Sequence, residues 1–176
     1  MTSLYLAMDI HDKQTINMLR YCQTLVKQAI SGTFVDESTF HITIDYLNDN
    51  DKNADLVISA MLLFKERYLP AFKPFYVFGE HVNRFDGGAC WLDVNNAFSL
   101  YQIRYLIRKL LKEVGYKKIK DTYDDYTPHI TLAYDVYEDC AIHFDKVPVL
   151  VDNITLWASP KCNGAYIDNC LYQLKL

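Results

Sequence analysis

Phe40-His41-Ile42-Thr43-Ile44-Asp45-Tyr46-Leu47 and Thr127-Pro128-His129-Ile130-Thr131-Leu132-Ala133-Tyr134 follow one pattern. Their β-branched residues and alternating polarity mark each as a strand with two unlike faces. Successive side chains of a strand point to opposite sides, so His41 and Thr43 share one face while Ile42 and Ile44 share the other. His129 and Thr131 are set against Ile130 and Leu132 in the same way. By the same alternation Asp45 is expected on the face of His41. With the apolar faces packed inward, each strand presents an imidazole and a hydroxyl about 7 Å apart.

Working outward, each motif closes a strand–helix–strand unit. Leu4 to Ile10 reads as a strand, and His11-Asp12 starts a helix that runs to about Ile30 with Ile16, Leu19, Cys22, Val26 and Ile30 as its buried stripe. A second helix spans about Asp51 to Tyr68. Phe75 to Phe85 and Ala89 to Val94 flank the hairpin signal Asp86-Gly87-Gly88. A third helix follows over about Ala97 to Val114, with Leu100, Ile103, Ile107, Leu110 and Val114 inward. Two late strands are expected near Val149 to Trp157 and Tyr166 to Leu174, with Pro160 and Gly164 in the turn between them.

The halves superimpose: Ala7-Met8-Asp9-Ile10 matches Trp91-Leu92-Asp93-Val94, and the His-Ile-Thr strand follows 31 positions after Ile10 and 35 after Val94. That repeat predicts one bilobal α+β domain with a pseudo-twofold axis and a cleft between its lobes. The first motif lobe covers about 1–70 and the second about 86–147, with 148–176 completing the sheets.

Composition narrows the function. The chain has 176 residues and a formal net charge of -4, which lacks the basic footprint of a protein that grips long nucleic acid. A small anionic substrate held by local donors remains compatible with that balance. No apolar run reaches the roughly 20 residues of a membrane span, and the first residues lack signal-peptide order, so a soluble cytoplasmic protein is expected. Five cysteines without a C-x-x-C pair are expected as free thiols, and no His/Cys spacing suits zinc. No metal and no cofactor are predicted, and a monomer is expected.

Paired imidazoles suit phosphodiester chemistry, which needs one group to take a proton from the attacking hydroxyl or water and another to protonate the leaving oxygen. Hydroxyls of Thr43 and Thr131 can donate to the non-bridging oxygens. At these residues the chain resembles the 2H phosphoesterase superfamily, defined by two His-x-Thr/Ser-x motifs, here His41-Ile42-Thr43-Ile44 and His129-Ile130-Thr131-Leu132. The resemblance implies two lobes with antiparallel sheets lining a central cleft and helices outside, and a metal-independent phosphodiesterase with His41 and His129 as acid/base and Thr43 and Thr131 as phosphate ligands. Members include RNA 2′,5′-ligase-like proteins, RNA 2′,3′-cyclic phosphodiesterases, and phage enzymes that hydrolyse the cyclic oligonucleotides of CBASS immunity. The stretch Tyr126 to Asp135 looks most like the phage (anti-CBASS) type. Tyr134-Asp135 departs from the arginine that follows the second motif in tRNA-processing members.

A small cyclic oligonucleotide is therefore the expected substrate. The alternatives are an RNA 2′,3′-cyclic end or 2′-5′ RNA ligation, and, from another class, a non-catalytic module that sequesters nucleotides. Tyr5, Trp91 and Trp157 are candidates to stack a base, and Lys120 and Tyr126 to close over a nucleotide. His11 reads as a helix-start residue, His81 and His143 as structural, and Arg104, Arg108, Lys109 and Lys112 as a solvated helix face.

Overall fold

The computed structural model describes residues 2–47, 53–117, 119, 126–162 and 165–176. Strand β1 (Thr2–Asp9) sends Leu4, Leu6 and Met8 into the core. Asp12 then caps α1 (Lys13–Ala29), accepting from the Thr15 backbone N–H at 2.7 Å and the Thr15 hydroxyl at 2.8 Å. Leu19, Cys22 and Val26 are buried as the periodicity predicts. Gln23 is buried among them because its amide donates to the carbonyls of Val35 and Leu132, each at 2.9 Å. A short strand, β2 (Thr33–Phe34), and a 3-10 turn, Glu37–Thr39, lead into β3 (His41–Tyr46).

Helix α2 (Ala54–Arg67) precedes the hairpin of β4 (Phe75–Arg84) and β5 (Cys90–Asp93). Gly88 takes φ +84° in its turn, a conformation that favours glycine. Helix α3 (Phe98–Glu113) buries Leu100, Ile103, Ile107 and Leu110, together with Leu111. The chain ends in β6 (His129–Tyr134), β7 (Ile142–Val151), β8 (Asn153–Cys162), β9 (Ala165–Tyr166) and β10 (Asn169–Lys175).

The strands run in the order β10-β8-β1-β3-β6-β5-β4-β7, with β2 beside β6 and β9 beside β8. The two motif strands meet at the centre through the antiparallel pair Ile42–Ile130. On one side Asp9 pairs with His41 and Ala7 with Thr43; on the other Asp93 pairs with His129 and Trp91 with Thr131. The internal repeat is thus a register match about a twofold axis. The helices change sides: α1 packs on β7, whereas α3 packs on β3 and against α2.

The late strands differ from expectation. One strand near Val149 to Trp157 is in fact the end of β7 and the start of β8, divided at Asp152, and Pro160 lies inside β8 opposite Thr2. An apolar alternation runs through the break without glycine, so periodicity does not see it. The division has a geometric consequence. In a flat sheet β7 and β8 would lie about 29 Å apart, six spacings of about 4.8 Å, yet one residue spanning about 7 Å joins them. The sheet therefore curls until its halves meet at Asp152.

Asp45 also departs from the simple alternation. Between Ala7–Thr43 and Leu6–Asp45 the register slips, leaving Ile44 as an extra residue, so Asp45 pairs with core-facing Leu6 and is buried. The same bulge recurs at Leu132 in β6, between Trp91–Thr131 and Cys90–Ala133. Both motif strands accordingly share one burial pattern: half-buried His and Thr, two consecutive buried residues, then an exposed tyrosine, Tyr46 or Tyr134. Among the described residues no helix is long and apolar enough to cross a membrane. Cys22, Cys90, Cys140 and Cys170 are free thiols.

Candidate active site

Antiparallel pairing through Ile42 and Ile130 sets His41 opposite Thr131 and His129 opposite Thr43. Each imidazole thus stands beside the hydroxyl of the other motif. The two rings are held alike: Nδ1–H of His41 donates to the Thr39 carbonyl and Nδ1–H of His129 to the Thr127 carbonyl, both at 2.8 Å. A carbonyl only accepts, so Nδ1 carries the proton and Nε2 is left with the lone pair in the neutral ring. The longer repeat Thr-x-His-Ile-Thr, which begins at Thr39 and at Thr127, is the sequence signal of this orientation.

Aromatic rings flank both histidines. Tyr5 lies 5.6 Å from the His41 ring, while Trp91 and Phe85 lie 5.7 and 5.1 Å from that of His129. Burial lowers the pKa of His129, and a charge on His41 would lower it further, whereas the hydrogen bond to Thr127 acts in the opposite sense. Burial raises the Tyr5 phenol, and the Asp168 and Asp9 carboxylates add to that shift.

Asp9 and Asp93, each opposite a motif histidine, serve inverse locks. On the first side, Asn153 of β8 accepts from the Asp9 backbone N–H at 3.0 Å and donates to its carbonyl at 2.7 Å. The Asp9 carboxylate is thereby placed to accept from the Trp157 indole at 2.9 Å. On the second side the Asp93 carboxylate itself accepts from the backbone N–H groups of Glu80 and His81, at 2.6 and 2.8 Å, and bonds the His81 ring at 3.1 Å. His81 in turn lies against His143, the ring centroids 4.7 Å apart and the planes tilted by 44°.

Tyr126 is spent within the protein. Its hydroxyl donates to the Thr43 carbonyl at 2.8 Å, and the Arg104 guanidinium lies 4.6 Å from its ring centroid. Arg104 and Arg108 are not a solvated face: they approach the Asp45 carboxylate to 3.9 and 3.2 Å in a nearly buried cluster between α3 and β3. The bulge at Ile44 turns Asp45 toward that helix, which explains the departure. Lys109 and Lys112 do remain exposed. Burial raises the Asp45 pKa while both arginines pull it down.

The fold thus brings His41, Thr43, His129, Thr131, Tyr5 and Trp91 together, with Trp157 beside Tyr5 in register. Lys120 lies outside the described residues. Two features escaped sequence reading: Phe85, which sits just before the hairpin turn and stacks on Trp91 at 4.8 Å, and the matched Tyr46 and Tyr134. For the tyrosines the signal was present, because both motifs extend to His-Ile-Thr-x-x-Tyr. Among the described residues no three His, Cys, Asp or Glu side chains cluster to hold a metal. A cavity of about 950 Å³ between α1 and β7 includes neither motif.

Comparison with known proteins agrees with this geometry. Residues 41–159 match the model of the 2′-5′ RNA ligase superfamily, a span that contains both motifs. The chain is 24% identical over 180 residues to an RNA 2′,3′-cyclic phosphodiesterase of Thermotoga maritima, covering 96% of this chain and 92% of that one. Its fold is similar to that of Escherichia coli LigT complexed with 3′-AMP, with TM-score 0.74, 19% identity and coverage of 99% and 97%. A structure from Thermus thermophilus aligns with TM-score 0.75 at 18% identity over 99% of this chain and 97% of that one. The chain belongs to the 2′-5′ RNA ligase superfamily of 2H phosphoesterases.

Proposed function

We propose that this protein hydrolyses a nucleotide phosphodiester without a metal ion, in a small cyclic oligonucleotide signal, as phage enzymes of immune evasion do. The observation that carries the reading is the pair of imidazoles with Nδ1 committed to a backbone carbonyl, each facing the other motif's threonine. His129, its pKa lowered by burial, stays neutral near pH 7 and serves as the base. It takes the proton of the attacking water as the water oxygen bonds to phosphorus. The bond to the leaving ribose oxygen breaks, and His41, which enters this step as the imidazolium with a second proton on Nε2, gives that oxygen the Nε2 proton and keeps Nδ1–H on the Thr39 carbonyl. Thr43 and Thr131 donate to the non-bridging oxygens as charge builds on them. Each proton transfer is worth about 10²- to 10⁴-fold in rate.

Tyr134-Asp135 follows the second motif where the resemblance to tRNA-processing members calls for an arginine, and that departure supports the cyclic oligonucleotide. An RNA 2′,3′-cyclic end is the second reading, favoured by the Thermotoga maritima relative. Purified protein in EDTA, offered cyclic di- and trinucleotides and an RNA with a 2′,3′-cyclic end, is expected to cleave the cyclic oligonucleotides faster. Preference for the RNA end selects the second reading. Tight binding with no turnover of either supports a sequestering module and ends the enzyme reading.

A further inference from the structure

Helix α3 carries an aromatic stripe on its outer face. Phe98, Tyr101 and Tyr105 are 71%, 47% and 69% exposed, and steps of three and four residues set them along one side over about 10 Å. Other exposed rings, such as Tyr21, Tyr76 and Tyr137, stand apart on α1, β4 and the loop after β6. The same side of α3 continues into the exposed lysines Lys109 and Lys112. The one carboxylate of the helix, Glu113, accepts from Arg67 at 2.8 and 3.0 Å, so the aromatic stripe runs into a positive end. No aliphatic side chain shares this face: Leu100, Ile103, Ile107, Leu110 and Leu111 are buried, and Leu106 packs half-buried on the core. A lipid surface calls for aliphatic side chains as well. Rings followed by cations suit unstacked bases joined by phosphates.

The stripe is also tied to the site. The Tyr101 hydroxyl donates to the Tyr126 carbonyl at 3.2 Å, and the Tyr126 hydroxyl donates to the Thr43 carbonyl at 2.8 Å. Two hydrogen bonds thus connect the aromatic end of α3 to the first motif strand, and Lys112 lies about 16 Å further along the helix.

We propose that this face of α3 binds a single-stranded polynucleotide outside the cleft, with bases stacked on Phe98, Tyr101 and Tyr105 and phosphates beyond them on the lysines. Stacking supplies most of the affinity, in keeping with a net charge of -4. The inference goes beyond hydrolysis of a small ring, which has no strand to lay along α3, and does not depend on it.

Fluorescence anisotropy on His41→Ala, a variant without turnover, tests it with labelled decauridylate, decathymidylate and a ten-base-pair RNA duplex. Cyclic diadenosine dinucleotide is present in excess to occupy the cleft. The single strands are expected to bind at least about 5-fold more tightly than the duplex, whose bases already stack on one another. The tighter of the two strands identifies the polymer as RNA or DNA. Phe98→Ala and Tyr105→Ala should each weaken single-strand binding at least about 5-fold, and Lys109→Ala should flatten the slope of log affinity on log salt by about 0.7. Unchanged single-strand binding in both aromatic variants overturns the proposal, and so does a duplex that binds as tightly as the strands. A dimer in sedimentation that Phe98→Ala dissociates assigns the stripe to a second copy of the chain instead. Phe98 and Tyr105 belong to neither motif, so their variants decide the matter even if the cyclic dinucleotide is neither bound nor cleaved.

Discussion

Replacing Tyr126 with phenylalanine removes one oxygen and leaves the ring under Arg104. That oxygen makes a 2.8 Å hydrogen bond to the Thr43 carbonyl, joining the segment before the second motif to the strand of the first. The loss amounts to about 1 kcal/mol for one hydrogen bond. In a chain of this length that corresponds to a Tm lower by about 2–4 °C. Catalysis should suffer more than stability, because Thr43 faces His129 across the central pair and small misplacements of reacting groups are costly. A fall of about 10-fold in kcat with little change in KM is expected. Thermal unfolding and steady-state kinetics on a cyclic dinucleotide measure both quantities. The outcome that refutes this reasoning is a Tm within about 1 °C of wild type together with unchanged kcat. A raised KM in Tyr126→Ala alone, with Tyr126→Phe like wild type, would return Tyr126 to the role of a stacking surface.

Asn153→Ala strips the Asp9 backbone of two buried hydrogen bonds and should cost about 3 kcal/mol in urea unfolding, a loss that Asn153→Asp recovers only in part because a carboxylate cannot donate to the Asp9 carbonyl. Thr43→Val and Thr131→Val keep the side-chain shape and should each lower kcat by about 10²-fold without shifting Tm. The pKa of His129 lies below the ordinary 6.5, so the acid limb of kcat/KM should fall below pH 6.5. Between that lowered value and 6.5 the unfolded chain binds more protons than the native one, so native stability should decline as pH drops through this window. His129→Gln should abolish that decline; equal pH dependence of unfolding in the variant and the wild type would contradict it.

What the sequence by itself determined is local or repeated. Alternation within six residues places His41 with Thr43 and His129 with Thr131, since side-chain direction in a strand depends only on the preceding peptides. The matched Asp9 and Asp93 reveal the twofold arrangement for the same reason, one pattern occurring twice. Asp12 and the Asp86-Gly87-Gly88 turn are legible because caps and tight turns are built from neighbours.

Tertiary structure decided whatever depends on a partner distant in the chain. Asp45 faces α3 and not the cleft because a bulge is defined by the strand alongside, and the slip against β1 has no mark in the motif itself. Arg104 and Arg108 leave the solvent because that carboxylate awaits them, which a helix periodicity cannot show. Trp157 reaches Asp9 across 148 positions, and Tyr126 reaches Thr43 across 83. These contacts exist because the sheet order sets β8 beside β1 and β6 beside β3, neighbours that no local pattern announces.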